Sequence, residues 1–157
     1  MRAEADEILF RPPTPEDAEP VAHLLGELGY PAAVEEIPGR LRALTHFPAA
    51  LALVATANGE VVGLITSHVF PSIHSAHPVA WITSLVVSTT HRGKGVGSAL
   101  VARAEQWAAD NGAMRVGVTS GLQREATHRF YEHRDYQQTG LRFAKAVDSV
   151  GRSETGG

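Results

Sequence analysis

Apolar and polar positions alternate along this chain in two periods, and the switches between them mark out the elements. Ile8-Leu9-Phe10-Arg11 is a short apolar run that Pro12-Pro13 stops, which predicts a first strand. Thr14-Pro15-Glu16-Asp17 follows as a helix start, with a capping hydroxyl, a proline suited to the first position and two acids at the positive end. Val21, Leu24, Leu25 and Leu28 then recur at i, i+3, i+4 and i+7, so this helix buries one face and ends at Gly29. A second helix is expected from about Ala33 to Thr45, with Ile37, Leu41 and Leu44 inward. Ala50–Thr56 and Val61–Phe70 read as two further strands, and Asn58-Gly59 between them predicts a tight hairpin.

Pro71–Pro78 reads as a loop, and Val79–Val87 as an apolar, β-branched central strand. A long helix is predicted from Gly95 to about Asn111, carrying Val96, Leu100, Ala104 and Trp107 on one face, with Gly112 as its left-handed stop. Met114–Thr119 is the next strand, about Glu125–His133 a helix, and Tyr136–Val147 a sixth and last strand. Residues 148–157 are polar and glycine-rich and read as a flexible tail. The order β-α-α-β-β-β-α-β-α-β places strands both in hairpins and around helices. The expected fold is therefore α/β (α+β), with a mixed sheet and helices on both faces.

Composition narrows the function classes. The 157 residues suit one domain, taken as 1–147 with a tail after it; 43% of the residues are hydrophobic and 20% charged, as in ordinary globular chains. There is no cysteine, which excludes disulfides, thiol nucleophiles and cysteine-ligated metal. The net charge of −3 lacks the basic excess of a nucleic-acid binder and favours a small-molecule or protein partner. No apolar run reaches the ~20 residues of a membrane span, and the acidic first residues lack a secretory core. A cytoplasmic protein, bound neither to membrane nor to nucleic acid, is the expectation.

The most informative stretch is Leu85–Leu100. A buried strand ends, and a turn with glycines at 93, 95 and 97 opens directly into the long helix. The backbone N–H groups from Gly93 to Ser98 precede any helical carbonyl acceptor and converge on the helix N-terminus, a setting for an anion and phosphate in particular. Arg92 and Lys94 add positive charge. A dinucleotide fingerprint fails, because Ser98 stands where the third glycine belongs. A P-loop fails as well, since Gly95 follows Gly93-Lys94. A glycine turn that merely lets strand and helix pack closely fits the spacing equally.

Arg92-x-x-Gly95-x-Gly97 resembles the Q/R-x-x-G-x-G/A signature of the GNAT superfamily of acyl-CoA-dependent N-acyltransferases. Leu85-Val86-Val87 is similar to that family's pantetheine-pairing strand, and Arg124–Tyr136 to its helix ending in "FYE..GY". The resemblance covers about residues 7–147. It implies a mostly antiparallel sheet of six to seven strands, splayed between the fourth and fifth. It also implies acetyl-CoA as acyl donor, its pyrophosphate on Arg92, Gly93, Lys94, Gly95, Val96, Gly97 and Ser98, and its pantetheine along Leu85, Val86 and Val87. Transfer to a primary amine of a small molecule or peptide chain end would be direct, with Tyr131 in the position of the family's general acid. No metal is implied. Relatives often dimerise through sheet edges, so a homodimer is the corresponding expectation.

Two positions depart from the pattern. Arg124 stands where many members carry a pantetheine-binding Asn, and it is kept as a cofactor-binding residue. Asp135 replaces a turn glycine, which requires it to take a left-handed conformation. The family's strand glutamate, a general base, is missing from Val79–Ser84. Glu35, Glu36, His74, His77, His128 or a chain of waters would have to replace it; imidazoles titrate near 6.5 and suit the task. His74 and His77 have no third partner in sequence for a metal. The alternatives are a non-catalytic acyl-CoA-binding or sensor module, and a nucleotide-binding α/β domain built on the same glycines.

Overall fold

A computed structural model describes residues 6–119, 125–140 and 142–147, and it falls into two compact units that meet in sequence after Val118. The first unit is a five-stranded sheet in the order of the chain: β1 (Ile8–Arg11), β2 (Ala50–Ala57), β3 (Glu60–Phe70), β4 (Val79–Val87) and β5 (Arg115–Val118). The first three pairings are antiparallel and β4–β5 is parallel. The β2–β3 hairpin closes at Asn58 (φ 52°) and Gly59 (φ 87°), the two positive φ angles of a tight primed turn.

Three helices cover this sheet: α1 (Ala18–Leu28), α2 (Ile37–His46) and α3 (Val96–Asp110). A 3-10 turn leads into each of the first two, Pro15–Asp17 before α1 and Val34–Glu36 before α2. Pro38 falls in the first turn of α2, where its missing N–H leaves no bond unmade. The start of α1 is fixed by Asp17, which is buried. Its carboxylate accepts two bonds from the Arg11 guanidinium at 2.7 and 2.9 Å and one from the Thr14 N–H at 2.7 Å. Arg11 is the main reason that the Asp17 pKa lies below the usual carboxylate value.

Strand alternation sorts the core into two layers. Val54, Leu64 and Val86 pack with Val21, Leu24, Ile37 and Leu41 of α1 and α2. Their strand neighbours point the other way: a Cβ on Gly63 would lie 3.1 Å from Leu100 and 3.3 Å from Val96 of α3. Helices therefore lie on both faces, as the pattern predicts.

β5 is short, and this shapes the sheet. Its ladder with β4 runs from Val79↔Arg115 to Ile82↔Val118, while β4 continues five residues further, to Val87. β5 is thus paired over its whole length, and the last five residues of β4 have no β5 residue opposite them among the described residues. β4 also carries a bulge: Thr66 faces Ser84 and Ser67 faces Ile82, which leaves Thr83 without an opposite residue.

The second unit contains α4 (Glu125–Glu132), followed by a turn in which Asp135 takes φ 64°, the left-handed conformation its position demands. The sixth strand expected over Tyr136–Val147 is not formed: residues 136–140 and 142–147 carry no strand, and the described sheet has five strands where six to seven are expected. Apolar residues in an extended run make a strand only when a ladder partner and a face to bury exist. Here Phe143 and Val147 are 90% and 83% exposed. Among the described residues, no helix is long and apolar enough to cross a membrane.

Candidate active site

The free end of β4 has a defined hydrogen-bonding sense. The Ser88 N–H donates to the Val62 carbonyl at 2.8 Å, and the β3–β4 register below it is regular from Gly63↔Val87 to Thr66↔Ser84. Backbone groups alternate sides along a strand, so Val86 and Ser84 turn theirs to β3 while Leu85 and Val87 turn theirs away from it. The β5 ladder has ended by then, and Leu85 and Val87 present an unpaired edge within this unit. Val86, between them, buries its side chain beneath α1 and α2.

This edge leads straight into the glycine turn. After a 3-10 turn at Thr89–His91, Gly93 and Gly95 adopt φ 78° and 84°, and Gly95 caps α3. A Cβ at either glycine would meet nothing within 4 Å, so conformation and not crowding calls for glycine there. The first helical bond is from Ala99 N–H to the Gly95 carbonyl, and no side chain caps the helix. The N–H groups of Val96, Gly97 and Ser98 are accordingly left without an intrahelical acceptor, at the positive end of a 15-residue helix.

The charges expected beside this turn have other attachments. Arg92 Nε donates to the Val87 carbonyl at 3.0 Å, bracing the turn against the strand it leaves. Lys94 Nζ lies 3.6 Å and His91 Nε2 3.4 Å from the Asp6 carboxylate, which Asn58 also holds at 2.9 Å. A cleft of about 620 Å³ opens at the same end of the sheet, where Val61 and Ser88 meet His23 and Glu19 of α1.

Leu85, Val87 and the run from Arg92 to Ser98 are thus gathered at one junction of the first unit. Tyr131 lies in the second unit, on α4. It is buried, with the Phe130 and Tyr136 rings edge-on at 5.2 and 5.4 Å. Burial pushes its phenol up to about 12, against a smaller opposing effect of Arg134. The hydroxyl therefore keeps its proton through the neutral range. Arg124 lies outside the described residues.

The candidate bases are scattered. Glu35 and Glu36 are exposed, and Glu36 pairs with Arg40 at 2.7 Å. His74 and His77 are exposed in their loop, and His128 is on α4. The structure adds a residue that the sequence reading does not single out: His68, on β3 opposite Trp81 of β4, with its Nδ1 buried. Its sequence signal is a titratable residue in phase with Leu64 and Thr66, on the core-facing side of an alternating strand.

The Acetyltransferase (GNAT) family profile matches residues 15–136. An aminoalkylphosphonate N-acetyltransferase of Salmonella typhimurium is 39% identical over 94 residues, and the match covers 60% of this chain. The chain spans 61% of that relative's length. Among solved structures, a GNAT family acetyltransferase of Staphylococcus aureus superposes with a TM-score of 0.73 at 21% identity, over 89% of this chain and 98% of that one. An aminoglycoside N-acetyltransferase in complex with CoA gives 0.79 at 13% identity, over 96% of this chain and 100% of that one.

Proposed function

The chain belongs to the GNAT family of acetyltransferases, and from that premise we propose that it moves an acetyl group from acetyl-CoA to a primary amine by direct transfer in a ternary complex. The acceptor is a small molecule or a chain end. One observation carries the proposal: the open edge of β4 leads, through a 3-10 turn and the glycine turn, to a helix N-terminus that no side chain caps. An extended polar arm that ends in a pyrophosphate needs those two features side by side. The arm takes the place of a missing strand, and the diphosphate receives the N–H groups of Val96, Gly97 and Ser98.

The residues divide the work. Leu85 and Val87 offer the strand edge, although Arg92 already occupies the Val87 carbonyl, so the Leu85 backbone and the Val87 N–H remain for the arm. Gly93 and Gly95 keep side chains away from the phosphates. Lys94 supplies charge, exchanging Asp6 for phosphate. When bound, acetyl-CoA supplies an activated thioester. Tyr131, protonated through the neutral range, serves as the donor to the leaving sulfur. Residues 1–147 act as one acetyltransferase domain in this reading, supported by a family match that runs through both units. A cytoplasmic setting and the absence of a resident metal belong to the same proposal.

The name of the Salmonella relative supports a compact aliphatic amine as acceptor. β4 and β5 contain no carboxylate, and this favours the second reading, a non-catalytic acyl-CoA-binding module. One experiment separates them: thiol release from acetyl-CoA is followed in the presence of an aminoalkylphosphonate, an aminoglycoside and simple primary amines. Amine-dependent release with a matching acetylated product supports the transferase. Micromolar binding without release on any amine supports the module.

A further inference from the structure

On the α1–α2 face of the sheet, just past the point where β4 loses β5, three hydroxyls come together. Thr66 Oγ1 is 2.7 Å from Thr83 Oγ1 and also touches Ser84 Oγ. Thr83 is the extra residue of the bulge, which is why two consecutive β4 hydroxyls reach the same β3 threonine. Two residues along β3, in phase with Thr66, is His68. Its register partner Trp81 is one residue before Ile82, the last β4 residue paired to β5. The imidazole thus stands at the threshold of the open edge.

Its surroundings are unusual for a histidine in a sheet. Phe47, which caps the end of α2, packs edge-on against the ring at 5.8 Å and 65°. Ala50 is its partner on β2 and Trp81 on β4, both uncharged. The nearest titratable group on α2, His46, turns its own Nδ1 to the Arg42 carbonyl at 2.7 Å. The Nδ1 of His68 is buried and has no hydrogen-bond partner among the described residues. A buried polar atom left unpaired costs about 1–3 kcal/mol, so its retention calls for a donor that arrives with function. Beside it the Trp81 indole is 38% exposed, a face on which an alkylammonium can rest.

We infer that His68 accepts the proton of the acceptor ammonium, filling the place that the missing strand carboxylate leaves. This rests on the transferase reading above. The ammonium docks over Trp81 and gives one N–H proton to the imidazole. The freed lone pair forms the C–N bond to the thioester carbonyl as the C–S bond breaks. The sulfur takes its proton from the Tyr131 phenol, and the amide nitrogen sheds its surplus proton to solvent. Solvent then restores both side chains, so one proton is released overall. Five other histidines are less suited: His91 faces Asp6, His23 faces Glu27 at 3.4 Å, and His74, His77 and His133 are exposed.

The test is the pH profile of kcat/KM for the amine, in the wild type and in His68→Gln, with KM for acetyl-CoA measured in both. The variant should lose about 100-fold at neutral pH, keep its acetyl-CoA KM, and regain rate with rising pH as free amine accumulates. A wild-type rate and profile in His68→Gln would overturn the assignment alone. A wild type that binds acetyl-CoA but acetylates none of the amines would overturn the transferase reading and this assignment with it. Should the variant fail to fold, ¹⁵N spectra of the histidine rings in the wild-type CoA complex decide. The His68 Nδ1 resonance should shift on adding 2-aminoethylphosphonate or, if that is no acceptor, the best amine on the panel; an unmoved resonance would overturn the assignment.

Discussion

The two halves of β4 are built from similar residues and do different things. Val79–Ile82 is paired on both sides, to β3 and to β5, and is ordinary sheet interior. Thr83–Val87 keeps β3 but has outrun β5, so every second residue offers its backbone to whatever lies alongside. The bulge at Thr83 marks the change from one half to the other. Exposed strand edges are ordinarily suppressed because they recruit other chains. Here the edge is short and stops at a turn that brings helical N–H groups beside it. In the proposed function, a groove for the acetyl-CoA arm is made by shortening a neighbouring strand.

Within the open half, prolines at adjacent positions separate the side that faces β3 from the side that faces nothing in β5. Val86→Pro removes an N–H turned to β3 and a buried side chain, and should cost about 3 kcal/mol or more, enough to leave little folded protein by circular dichroism. Leu85→Pro removes an N–H facing the open edge. It should remain folded with a Tm a few degrees lower, yet bind acetyl-CoA at least 30-fold more weakly in calorimetry. Equal loss of fold in both variants would mean that the Leu85 N–H does not face an open edge.

The open half contributes backbone and no acid, and in the proposed function proton donation falls to Tyr131. Tyr131→Phe should lower kcat by about 10- to 100-fold while leaving acetyl-CoA affinity within twofold. The same phenol predicts a pH effect on stability. Its folded pKa of about 12 exceeds the unfolded value of 10.0, so the unfolded chain loses the proton first as pH rises. The stabilisation is complete below pH 10 and is lost between about pH 10 and 12, amounting to about 3 kcal/mol. Urea melts at pH 9 and 11.5 should show that loss in the wild type and a smaller one in Tyr131→Phe.

The smallest effect belongs to the doubly paired half. A Cβ on Gly117 would fall 2.6 Å from the Trp81 ring, so Gly117→Ala must displace the indole, at about 1–2 kcal/mol of stability. Acetyl-CoA affinity should not change. A weakened affinity would show that strain in the paired half reaches the open one.

Much of this was readable in the chain because local chemistry determines it. Asn58-Gly59 and Gly93-x-Gly95 need positive φ, and both turns form where those residues stand. Asp135, in place of a glycine, takes the same conformation. Long-range pairing is another matter. That β5 ends at Val118, that Thr83 is squeezed out of the ladder, and that His68 faces Trp81 all depend on register between distant segments. The Tyr136–Val147 run failed as a strand for the same reason, since alternation cannot report whether a partner exists. Arg92 and Lys94 were legible as charges but not as partners of Val87, five residues back, and of Asp6, which comes to the turn from the far end of the chain.

The most direct test is calorimetric titration of acetyl-CoA into the wild type and into Gly97→Asp, with ATP and NAD as controls. The variant sets a carboxylate among the uncapped N–H groups that the proposed function gives to the diphosphate, and the helix end favours that carboxylate. Micromolar binding of acetyl-CoA alone to the wild type, weakened at least 100-fold in a folded variant, is the predicted result. Undiminished binding in Gly97→Asp, or a wild type that prefers ATP or NAD, would contradict it.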